Sequence, residues 1–168
     1  MTIRTETSAD AAAIHEVNQL AFGQPDEAVL VDRLREQGAA EVSLVAEAEG
    51  EIVGHILFSP VVVHDPAFTG SAVGLAPMAV RPGWQRRGIG GALIREGLRR
   101  CAEAGHGAVV VLGHAEYYPR FGFRPAHEWG LRCEYPVPPE VFQAQELRPG
   151  AFTGAPALVT YHPAFAAL

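Results

Sequence analysis

The sequence predicts a mixed α/β fold, and three observations carry the prediction. The run "AVGLAPMAV" at 72–80 leads through a glycine turn into a helix-patterned segment and then into the apolar run "AVVVL" at 108–112. That order makes a right-handed crossover between parallel strands. The stretch "VSLVAEAEGEIVGHILFSPVVV" at 42–63 reads as two β-branched strands folded about Glu49-Gly50, an antiparallel hairpin. Finally, 168 residues of which 48% are hydrophobic suffice for one sizeable core, so residues 1–168 are expected to form a single domain.

The remaining elements follow in chain order. A short strand is predicted around Ile3, after which Ser8 can cap a helix whose Ile14, Val17 and Ala21 recur at helical spacing. The break "GQPDE" precedes a second helix: Pro25 suits its first turn, Leu30, Val31 and Leu34 share a face, and Gly38 ends it. After the hairpin comes the loop "HDPAFTGS". Pro77, inside the next strand-like run, cannot donate to a ladder and marks an edge, a bulge or a break. From Gly88 to Ala104, Ile89, Leu93, Leu98 and Ala102 sit near helical spacing. Arg95, Arg99 and Arg100 favour the C-terminal half of that helix and Gly105 supplies its stop. Beyond "AVVVL" a short helix is expected at Glu116 to Arg120, then two strands among proline-rich loops.

Charge and cysteine content exclude several classes of function. The formal net charge is −6, which disfavours a broad nucleic-acid-binding face. All 13 basic residues are arginine, whose forked donors suit phosphate oxygens. Cys101 and Cys133 form neither a close pair nor a framework, so reduced thiols are expected rather than a disulfide scaffold or a zinc knuckle. The histidines are widely separated, so no metal is expected. No apolar run approaches the roughly 20 residues of a bilayer span, and a cytoplasmic location is the default.

The chemistry concentrates at "RPGWQRRGIGGALI", residues 81–94. Gly88, Gly90 and Gly91 stand where a helix begins, so unpaired N–H groups and the positive end of the helix dipole can meet an anion with no side chain in the way. A P-loop would need Lys followed by Ser or Thr, and a dinucleotide fingerprint would need glycine where Leu93 stands; neither is met. What remains is Gln or Arg, two residues, Gly, one residue, Gly or Ala, satisfied by Gln85, Gly88 and Gly90.

With these residues in view, the chain resembles the GNAT superfamily of N-acetyltransferases, and more closely its YhbS-like branch. "APMAVRPGWQRRGIGGALI" is similar to that family's acetyl-CoA strand, pyrophosphate loop and helix. "VVVLGHAEYYPRFGFRP" resembles its next strand and tyrosine-bearing short helix, and "GEIVGHILFSPV" and "YHPAF" also resemble the branch. The resemblance spans nearly the whole chain. It implies a central mixed twisted sheet of about seven strands flanked by about four helices, with a bulged strand and a V-shaped splay at the acetyl-CoA site. It implies that Met78, Ala79 and Val80 line the acetyl and pantetheine arm, with the amides of Met78 and Val80 as donors, and gives Pro77 the role of interrupting that strand. It implies that Gln85, Arg86, Arg87, Gly88, Ile89, Gly90 and Gly91 cradle the pyrophosphate. Arg86 and Arg87 can equally be a solvated face, since loop amides alone suffice for phosphate.

Acyl transfer sets further requirements. An amine of pKa about 10 must lose a proton before attack, and a CoA thiolate leaving from a thiol of pKa about 8 to 9 gains from a nearby donor. Tyr118 aligns with the family tyrosine and takes that acid role, leaving aromatic packing to Tyr117. The base is open. The strand at 72–80 carries no Glu, and His55, His114, Glu47 and Glu116 are the candidates. His55, on the central hairpin, can face the cleft as the base or be a hydrogen-bonded core residue.

The function expected is acetyl transfer from acetyl-CoA to an amine by direct attack on the thioester. An acyl-CoA-binding sensor or inactive relative and a protein amino-group acetyltransferase are the alternatives. The acceptor is a small-molecule amine or a protein amino group, met by loops near residues 22–38 and 126–168. No nucleic acid and no membrane is expected as a partner, and a homodimer is compatible with the sequence.

Overall fold

The computed structural model describes residues 1–167. Among them are nine strands and three α-helices: β1 (Thr2–Thr5), α1 (Ala11–Phe22), α2 (Asp26–Glu36), β2 (Val42–Ala48), β3 (Glu51–Val63), β4 (Ser71–Val80), α3 (Ile89–Glu103), β5 (His106–Leu112), β6 (Arg124–Pro125), β7 (Leu131–Cys133), β8 (Phe142–Glu146) and β9 (Ala157–Tyr161). Strand pairing is mixed and mostly antiparallel, the α/β class expected. The chain clusters into two compact units: Met1–Ser59 with Ala76–Gly97 and the chain end from Pro163, and Pro60–Leu75 with Leu98–His162.

In the first unit β1 pairs antiparallel with β2, and β2 with β3. Ile14 of α1, Leu30, Val31 and Leu34 of α2, Val45 of β2, Leu57 of β3 and Ala164 form one buried cluster. The α2 face read from the sequence is therefore the one that is buried. Asp26 and Glu27 in the first turn of α2 and Arg33 and Arg35 in its last suit the helix dipole. The start of the first helical segment departs from expectation. Ser8 does not cap it; instead the Asp10 carboxylate accepts from the Thr7 N–H at 2.7 Å and the Thr7 hydroxyl at 3.2 Å. Asp10 also accepts from Arg4 at 2.7 Å, which holds its pKa well below the usual carboxylate range.

In the second unit the N-terminal half of β4 runs parallel to β5 from Ser71 to Leu75. β5 then pairs antiparallel with β8, and β8 with β6. β9 pairs antiparallel with Val61–Val63 of β3 and parallel with β7. Val109, Val110 and Val111 of β5, Phe123, Phe142, Ala144 and Val159 are buried here. The strand expected at 108–112 is thus a core strand, and extends back to His106. Cys101 is buried and Cys133 half-buried, and neither forms a disulfide.

Candidate active site

In the first unit β4 runs on through Pro77 to Val80, with a cis Ala76–Pro77 peptide. Burial alternates along this end: Pro77 and Ala79 are buried, Met78 and Val80 half-buried, as a pleated strand requires. The chain then turns. Trp84 N–H donates to the Arg81 carbonyl at 2.9 Å, and the Gln85 side-chain amide reaches back to the Val80 carbonyl at 3.0 Å. Gln85 thus ties the loop to the strand that precedes it. Arg86 (φ 63°) and Gly88 (φ 82°) both adopt left-handed backbone, uncommon for an arginine. Alternation of right- and left-handed residues makes concave nests of N–H groups, the geometry that receives phosphate oxygens. α3 begins directly afterwards at Ile89, and Ala92 N–H bonds the Gly88 carbonyl at 3.1 Å.

Glycines bring α3 close to β3. A Cβ on Gly54 would lie 3.1 Å from both Ile89 and Leu93, and one on Gly97 would lie 2.4 Å from the Phe58 ring. The first turn of α3 is therefore set by a buried contact, with Ile89 and Leu93 both buried. Arg86 and Arg87 are exposed, and neither forms an ion pair among the described residues.

In the second unit the segment after β5 carries the tyrosines. The His114 carbonyl accepts from Tyr117 N–H at 3.2 Å, and Tyr118–Phe121 form a 3-10 turn closed by Gly122 at φ 95°. Tyr118 is buried; its ring meets Tyr117 edge-on at 5.1 Å and Phe123 at 5.7 Å. Burial, reinforced by Tyr117, pushes its hydroxyl up to about 12, so it keeps its proton at neutral pH. Three positions that motif reading passed over hold this turn. Gly113 leaves the space that the Tyr118 ring fills, a Cβ there falling 2.2 Å from it. Gln143 donates to the His114 carbonyl at 3.2 Å, and Gln145 to the Phe121 carbonyl at 2.7 Å. The alternation of Phe142, Gln143, Ala144 and Gln145 along one strand was the available signal for the glutamines.

Of the two readings of His55, the structure gives the core residue. The ring is fully buried; Asn18 Nδ2 donates to Nδ1 at 3.2 Å, and Nε2 lies 2.9 Å from Ser43 Oγ, which bonds Glu6 in turn. Arg35 Nε closes the chain on Glu6 at 2.8 Å. Burial, with the nearby Arg35 charge, lowers the His55 pKa to about 3, so the ring is neutral. Glu47 is paired with Arg4 at 3.3 Å, whereas His114 and Glu116 are exposed. Elsewhere in the second unit, a cleft of about 200 Å³ is lined by His127, Leu131, Cys133, Tyr135, Val137 and Phe142, within the 126–168 segment. Among the described residues no group of three or more His, Cys, Asp or Glu is placed to hold a metal ion, and no helix is long and apolar enough to cross a membrane.

The glycine loop before α3, then β5 and the tyrosine turn, follow one another in the chain within the span matched by the model of the acetyltransferase (GNAT) family, a class of acyltransferases. That family's model matches residues 11–123, and the chain belongs to it and is an N-acetyltransferase. It is 39% identical over 166 residues to the uncharacterized N-acetyltransferase YhbS of Escherichia coli K12, with 98% of each chain covered. It is 40% identical over 161 residues to YjhQ of the same strain, covering 91% of this chain and 89% of that one. Among solved structures, E. coli YhbS in complex with CoA superposes with a TM-score of 0.91 at 38% identity, covering 98% of this chain and 91% of that chain. A GNAT acetyltransferase from Brucella melitensis in complex with acetyl-CoA gives 0.80 at 38% identity, covering 98% and 97%.

Proposed function

We propose that the chain takes an acetyl group from acetyl-CoA and passes it to an amine by direct attack on the thioester, the whole chain acting as one acetyltransferase domain. The observation that carries the reading is the loop from Gln85 to Gly91, with left-handed backbone at Arg86 and Gly88 and a helix start directly behind it. It supports a pyrophosphate held by backbone N–H groups. Acetyl-CoA supplies the activated acyl group. The relatives of known structure that hold CoA or acetyl-CoA share 38% of their residues with this chain, which supports the same donor here.

In this reading the amides of Met78 and Val80 orient the acetyl carbonyl and the pantetheine arm, and stabilise the negative oxygen that develops on attack. Tyr118 acts on the departing sulfur. A phenol raised to about 12 faces a thiolate whose thiol has a pKa of about 8 to 9, so it donates a hydrogen bond more readily than it gives up the proton. The acceptor proton leaves through water. Support comes from the burial of His55 and the engagement of both its nitrogens, which leave it no contact with an amine. The acceptor is a small-molecule amine or a protein amino group in the cytoplasm, and the protein works alone or as a homodimer.

The donor assignment is tested by melting temperature. Acetyl-CoA or CoA should raise it, because a ligand bound only by the folded state stabilises that state by mass action. Gly90→Glu, which sets bulk and negative charge at the cradle, should remove the shift while leaving the protein folded. No shift in the wild type at millimolar CoA would overturn the assignment.

A further inference from the structure

Arg87 lies in the loop before α3, and its side chain is exposed. Its guanidinium carbon sits 4.9 Å from the centre of the Trp84 ring. Trp84 is half-buried and belongs to the turn closed by its own N–H on the Arg81 carbonyl at 2.9 Å, so it offers a fixed platform. A cation–π contact uses none of the guanidinium's five N–H donors, which remain available in the fork geometry that matches two phosphate oxygens. No carboxylate pairs with Arg87 among the described residues, although the chain has 19 acidic residues against 13 basic ones. An exposed, oriented and uncompensated guanidinium is a site waiting for a dianion.

CoA carries two phosphate centres, the pyrophosphate and the ribose 3′-phosphate, one sugar apart. The loop amides and the start of α3 answer the first without help from side chains. We propose that Arg87, positioned by Trp84, recognises the ribose 3′-phosphate, so that this pair makes the enzyme discriminate CoA from its 3′-dephospho form. The proposal rests on the acetyl-CoA reading above and adds to it which phosphate a named side chain addresses. Arg86 serves as an internal comparison: it is also exposed and without an ion pair, but has no aromatic platform.

The test is the ratio of dissociation constants for 3′-dephospho-CoA and CoA, measured by calorimetric titration of the full chain at fixed ionic strength. The wild type should prefer CoA by roughly tenfold or more, the scale of a charge-assisted hydrogen bond. Arg87→Ala should bring the ratio to within about twofold of one, and Arg86→Ala should retain it. Trp84→Ala should reduce the ratio by roughly two- to fivefold, the scale of an exposed cation–π contact, with Trp84→Phe recovering part of it. A platform that only stabilised the fold would lower both affinities together and leave the ratio intact. A wild-type ratio near one, or a ratio preserved in Arg87→Ala while both affinities fall in parallel, overturns the proposal. Failure of the wild type to bind either ligand would instead remove the acetyl-CoA reading beneath it.

Discussion

At the scale of single residues, burial acts in opposite ways on two titratable side chains, Tyr118 and His55. Tyr118 keeps its hydroxyl protonated to about pH 12, whereas His55 refuses a proton down to about pH 3. Tyr118→Phe removes one oxygen and keeps the ring's contacts with Tyr117 and Phe123. CoA affinity should stay near wild type while kcat falls by ~10²-fold, the range for losing a hydrogen bond to a developing anion. Tyr117→Phe should be mild, so comparing kcat between the two variants separates donation from packing. The His55 prediction concerns stability. Its folded pKa of about 3 lies below its ordinary value of 6.5, so the unfolded chain binds the proton more tightly. The stability contributed by neutral His55 is complete above about pH 6.5. It is lost progressively as pH falls towards 3, at up to about 1.4 kcal/mol per pH unit. Urea unfolding at pH 7 and pH 5 should show this loss in the wild type and less of it in His55→Gln. An equal pH dependence in the two proteins would mean that His55 titrates normally.

At the scale of elements, α3 depends on positions without side chains. Gly97→Ala would ordinarily help a helix by about 1 kcal/mol. Here the new methyl would fall 2.4 Å from the Phe58 ring, and overpacking of a closed core costs about 1–3 kcal/mol. The variant is therefore expected to be less stable than wild type in urea, and a more stable variant would show that β3 and α3 have room to separate. Periodicity made α3 legible from Ile89 and Leu93, and the β-branched run made β5 legible. The hairpin was equally plain from Glu49-Gly50, both of which adopt positive φ. The first helical cap was misread because Ser8 and Thr7 are both good caps, and the choice was made by Arg4, which draws Asp10 across from β1. No local pattern contains that pairing.

For the molecule as a whole, function was legible where backbone conformation is written in residue type, and hidden where it depends on chain segments meeting. Gly88 and Gly122 take left-handed backbone at the cradle and at the tyrosine turn, and both could be anticipated from glycine alone. The left-handed Arg86, the placing of Arg87 over Trp84, and the support of Tyr118 by Gly113 and Gln143 all need coordinates. So did the fate of His55, whose partners Asn18 and Ser43, with the Glu6 that Ser43 bonds in turn, come from three different segments. The family match from residue 11 to 123 covers both the cradle and the tyrosine turn, and it is turnover that joins them into one claim.

The most direct measurement is therefore the appearance of free CoA thiol when the purified protein meets acetyl-CoA and a panel of small primary amines and amino-terminal peptides. Thiol release that depends on both the amine and the enzyme, is lost in Gly90→Glu and falls by ~10²-fold in Tyr118→Phe is the predicted result. Tight binding of acetyl-CoA with no thiol released by any amine would contradict it, and would make the chain a protein that holds the donor without transferring its acetyl group.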